Sequence, residues 1–94
     1  MRNSDVIKCF LRGLDAKGSN LYSTSEKLIN YNTCIAQIVN NILIINNTFY
    51  SSTTSRHQNL LKKLAEDYFK RIELTDEAIN RGANDLHNYK TIPL

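Results

Sequence analysis

Residues 50–58 read YSSTTSRHQ: five consecutive hydroxyl side chains lead into an arginine, a histidine and a glutamine. An apolar helical pattern begins directly afterwards, so the stretch stands at a predicted helix start. Unpaired amides and the positive end of the helix dipole gather there. Together with the Ser and Thr hydroxyls, Arg56 and His57, they could hold a phosphate or a carboxylate. A plainer reading is capping. Ser55 and Gln58 have capping-box spacing, with Thr54 as the rival cap. One cap stabilises by ~1 kcal/mol and needs one hydroxyl, so the surplus is what keeps a contact surface in view. On that second reading Thr53, Thr54, Arg56, His57 and Lys63 are the candidate partner-binding residues.

Catalytic alternatives are weaker. There is no Gly-rich loop or Walker pattern, which argues against nucleotide hydrolysis. His57 has no carboxylate near it in sequence, and His87 lies thirty residues on in an unpatterned segment. Cys34 and His57 could form a thiol–imidazole pair only if folding joined them, and Cys34 sits in an apolar strand pattern. Two cysteines without ligand spacing give no metal site. The expectation is therefore a protein that is not an enzyme and needs no cofactor. An enzyme acting on a phosphorylated small molecule, with His57 as acid–base, ranks third among the readings. Tyr22, Tyr31, Phe49 and Tyr50 could stack nucleobases, but NILIINNTFY, residues 41–50, holds no Lys or Arg. These aromatics read instead as sheet packing.

The elements that would position these residues follow from periodicity. Val6, Ile7, Phe10, Leu11 and Leu14 make one apolar stripe, predicting a helix over 4–14 with Asn3 or Ser4 as its cap. DAKGSN, residues 15–20, reads as loop. Alternation through KLINYNT and an extended CIAQIV precede Asn40–Asn41, which suits a type I′ hairpin. The Asn-Asn pair recurs at 46–47, before TFY. A three-stranded antiparallel meander over 27–50 results. Leu60, Leu61, Leu64, Ala65, Tyr68, Phe69 and Ile72 then predict a long helix over 56–72, with Leu64 in the core and pairs Glu66–Lys70 and Asp67–Arg71 along it. Thr75, Asp76, Glu77 and Gly82 predict a short final helix, and 84–94 a loose tail. A small sheet needs helical cover, so the expected fold is one α+β domain over 1–94.

The chain has 94 residues and a net charge of +3. Residues 1–63 hold eight Lys and Arg against three acids; residues 64–94 hold four against six. The bias suits an acidic partner but falls short of a dedicated nucleic-acid binder. The longest apolar run is four residues, Ile42 to Ile45, and the first residues carry charges where an export signal would be apolar. The expected location is the cytoplasm of a host cell, with Cys9 and Cys34 reduced and no membrane contact.

Two segments carry a resemblance. Asn30, Tyr31, Asn32, Thr33, Ile35 and Ala36 form one motif; Tyr50, Ser51, Thr53, Thr54, Ser55, His57 and Gln58 form the other. With the short hairpin between them, this stretch of residues 20–63 resembles a family of small proteins, without an assigned activity, carried by phages and plasmids of AT-rich bacteria. The resemblance implies a mobile-element protein that inhibits a host defence complex by protein–protein contact, as an anti-CRISPR acting on a CRISPR effector would. The alternative is a small nucleic-acid-associated regulator of the phage or plasmid.

Overall fold

In the computed structural model, which describes residues 1–94, seven strands pair in the order of the sequence to form one mixed sheet. The elements are α1 (Asn3–Leu11), β1 (Ala16–Lys17), β2 (Leu21–Ser23), β3 (Lys27–Asn30), β4 (Thr33–Val39), β5 (Ile42–Ile45), α2 (Ser52–Ala65), β6 (Arg71–Thr75) and β7 (Thr91–Pro93). Every pairing is antiparallel except β5 with β6, which is parallel. The fold is α+β, but the expected three-stranded meander with three helices is replaced by seven strands and two helices.

The parallel pair explains most of the difference. Strands that run the same way need a crossover, and α2 is that crossover. It stops at Ala65, so the expected helix over 56–72 loses its last two turns. Ile72 and Leu74 pack on the main core from β6, alternating with Arg71 and Glu73. Arg71 accordingly pairs with Glu73 two residues away at 3.2 Å, rather than with Asp67 across a helical turn. The expected final helix is absent as well. Thr75 ends β6 and its hydroxyl accepts from the Asn47 amide at 2.9 Å instead of capping a helix.

One predicted strand is split in two. Asn30 pairs with Thr33, leaving Tyr31–Asn32 as a two-residue hairpin tip. Asn40 and Asn41 do turn the next hairpin, with φ of 51° and 66°, as a type I′ turn requires. Asn46–Asn47 does not turn, and 48–50 form no strand.

The sheet is buried on both faces. On one, Leu21, Leu28, Ile35, Leu43 and Ile45 meet Val6, Ile7, Phe10 and Leu11 of α1 and Leu61 and Ala65 of α2. On the other, Ile29, Cys34 and Ile44 are covered by Ile79 and Leu86 from the segment between β6 and β7. The expected loose tail at 84–94 is thus anchored: Leu86 is 0% exposed, its amide bonds Gln37 Oε1 at 2.7 Å, and β7 pairs with β6. Burial also pushes the Cys34 thiol up to about 12, leaving it protonated.

His57 lies between the helices rather than at the surface. It is 8% exposed, and its Nε2 stands 3.3 Å from the Asn3 side-chain amide. Its Nδ1 is buried without a partner, and burial lowers its pKa from the ordinary 6.5. The native state therefore holds it neutral, while the unfolded chain takes up a proton near that ordinary value. Stability from this residue is full above pH 6.5 and falls as pH drops from there towards the lower native value. Taking the protein from about pH 7.5 to about 5.5 should lower its urea midpoint, and His57→Gln should flatten that dependence. An equal slope in the variant would assign the dependence elsewhere. In the same experiment Leu61→Ala should cost ~2–5 kcal/mol and Leu64→Ala less, because Leu61 is fully buried and Leu64 packs at the margin.

Candidate functional site

The two sequence motifs meet at one end of the sheet. Asn30, Tyr31 and Thr33 come from the β3–β4 hairpin; Tyr50, Ser51, Thr53 and Thr54 come from the start of α2; Arg81 comes from the segment after β6. Between them lies a polar cleft of about 390 Å³.

Local hydrogen bonds hold its walls. Ser51 caps α2, its hydroxyl accepting from the Thr54 amide at 3.2 Å. The helix thus starts one turn earlier than the Ser55–Gln58 capping box implies. Thr54 is buried, and its hydroxyl donates to Asn30 Oδ1 at 2.7 Å while accepting from Ser51 at 3.1 Å. Asn30 Nδ2 and the Tyr31 amide both donate to the Asn20 carbonyl at 2.9 Å. Arg81 donates to the Tyr50 carbonyl at 2.9 Å, and the Gly82 amide donates to the Thr33 hydroxyl at 2.9 Å.

Behind the cleft stands Asn46, 0% exposed. Its amide nitrogen donates to the Cys34 carbonyl at 3.1 Å and to the Tyr50 hydroxyl at 2.9 Å. Its side-chain oxygen accepts from the Thr48 amide at 3.0 Å, and its backbone carbonyl accepts from Gln58 Nε2 at 2.6 Å. Tyr50 passes the chain of bonds on to the Ile79 carbonyl at 2.7 Å. Gln58, expected to complete a cap, instead ties the helix to the residues after β5.

Tyr31 is the unusual member. Its φ is +55°, in the left-handed region that strains a side chain of this size. It is also 58% exposed at the hairpin tip. Phe49, 71% exposed, directly precedes Tyr50 of the cleft wall.

The expected partner-binding residues do not form one site. Thr53 and Thr54 line the cleft. Arg56 and Lys63 are exposed along the outer side of α2, and His57 is buried against α1, so it is not a contact residue. Cys34 and His57 lie on opposite faces of the sheet and cannot make a thiol–imidazole pair. Sequence reasoning missed Arg81, for which no local pattern exists. It also read Tyr31 as a strand residue, although the flanking Asn30 and Asn32 were available turn signals.

No helix of the chain is long and apolar enough to cross a membrane. No curated protein and no solved structure matches the chain. Residues 12–81 match a family of unknown function, DUF8033, a span that takes in the hairpin, the helix cap and Arg81. That match covers well over half of the sequence, and the chain belongs to this family.

Proposed function

We propose that the chain is a protein-binding inhibitor of a host defence complex, carried by a mobile element, and that it grips its partner with the cleft end of the molecule. The complex named by this reading is a CRISPR effector. The observation that carries the contact is Tyr31. A large side chain in a left-handed conformation costs of order 1–3 kcal/mol, and at an exposed turn an Asn or Gly would relieve it. The neighbouring hairpin uses Asn at both such positions. Strain accepted at an exposed tip supports a role for the Tyr31 side chain in contact.

The surrounding chemistry supports a protein partner. Tyr31, Phe49 and Arg81 are the aromatic and guanidinium types that anchor protein interfaces. Hydrogen bonds from Thr54 to Asn30 and from Arg81 to Tyr50 hold the three contributing segments together before any partner arrives, which reduces the ordering cost of binding. The motif resemblance to phage and plasmid proteins supports the choice of a host complex.

The test is a plasmid-interference assay in cells with active CRISPR immunity. The wild-type chain should restore transformation by a targeted plasmid. Tyr31→Asn and Arg81→Ala should each fold, yet weaken partner affinity by about thirtyfold or more and lose the effect, as truncation of an interface anchor does. Absence of protection by the wild-type chain, or full protection by both folded variants, would overturn the proposal.

A further inference from the structure

The outward surfaces of the two helices carry an excess of positive charge. Buried Val6, Ile7, Phe10 and Leu11 orient α1 so that Asp5, Lys8 and the capping residue Arg12 are exposed. Buried His57, Leu61 and Ala65 do the same for Arg56, Asn59 and Lys63 on α2. Arg2, exposed just before α1, adds a fifth cation, against two acids, Asp5 and the exposed residue Glu66 that caps the end of α2. The two ion pairs of the chain, Lys27–Asp85 and Arg71–Glu73, engage none of the five. The helices pack side by side on one sheet face, as the Asn3–His57 contact and their shared core show.

The kind of partner follows from what this surface holds and lacks. No large apolar side chain is exposed on the outward side of α1 or α2 itself; Met1, Leu14 and Tyr68 are exposed only beyond the helix ends. A protein interface needs such anchors at its centre. A phosphodiester backbone needs cations at intervals, with hydroxyl and amide donors between them, and Ser52 and Asn59 supply those. Arg56 and Lys63 stand two turns apart, roughly 10 Å along the axis. Packed helices lie a further 8–10 Å apart, approximately, so the array spans a distance comparable to the ~12 Å width of the major groove.

We propose that the two-helix face binds the phosphodiester backbone of double-stranded nucleic acid without reading base sequence. This surface is separate from the cleft end, and its observations are independent of the reading given above. Binding is driven by release of the counterions that the five cations replace.

Fluorescence anisotropy with a labelled DNA duplex of arbitrary sequence, roughly two helical turns long, tests it. With five phosphates neutralised, the wild-type chain should lose about five-hundredfold in affinity between about 50 and 200 mM salt, and Lys63→Gln should reduce the log–log slope by about 1. Arg56→Glu with Lys63→Glu should abolish binding, while Lys70→Glu with Lys90→Glu, an equal charge change off this face, should leave most of it. Tyr31→Asn should bind as wild type does; loss there would put the contact at the cleft and overturn the assignment. Equal loss in both charge-reversed pairs would overturn it too. So would a poly-glutamate competitor that displaces the duplex charge for charge, since that would mark the face as a site for acidic proteins.

Discussion

The side-chain amide of Asn46, sealed from solvent where β5 ends, ties β4 to the segment that leads into α2. It bonds the β4 backbone at Cys34, the Tyr50 hydroxyl and the Thr48 amide, while its carbonyl holds Gln58 of α2. A buried amide with every polar atom engaged contributes rigidity; the same amide left unsatisfied would cost about 1–3 kcal/mol. This node sets where the chain leaves the sheet and begins the crossover. It thereby places the Ser51 cap beside the hairpin tip, close enough for Thr54 to reach Asn30.

The rest of the architecture builds on that placement. With α2 fixed as a crossover, β6 pairs parallel to β5, and the chain then returns across the opposite sheet face before β7 closes the edge. That return brings Ile79 and Leu86 into the second core and Arg81 to the mouth of the cleft. The cleft is therefore a by-product of covering both faces of a small sheet. Its side chains are held by elements that the core already requires, which is how a chain of this length can hold a rigid cleft.

Legibility in the sequence depended on whether a signal was local. The stripe from Val6 to Leu11 and the Asn40–Asn41 turn report on neighbours a few residues away, and both were readable. The identical Asn-Asn pair at 46–47 was not, because its fate is decided by Cys34, Tyr50 and Gln58. Ile72 continued the helical spacing of Leu61 and Ala65 by coincidence of phase, with no Gly or Pro between to break it. Only the non-local parallel pairing with β5 makes it a strand residue. At the site, Thr53 and Thr54 were found through the hydroxyl cluster. His57 was misplaced because the helix starts a turn early, which sets it one turn before Leu61 on the buried stripe. Arg81 reaches the cleft only through the fold.

On the proposed reading, the hairpin tip gives up stability for contact, with Tyr31 held left-handed where another residue would sit more easily. Urea denaturation of Tyr31→Asn against the wild-type chain measures this directly, with the Asn20 hydrogen bond to the backbone amide preserved. The variant should be more stable by about 0.5–1 kcal/mol, since Asn adopts the left-handed region at lower cost. A variant of equal or lower stability would show that Tyr31 serves the fold, and would contradict the claim.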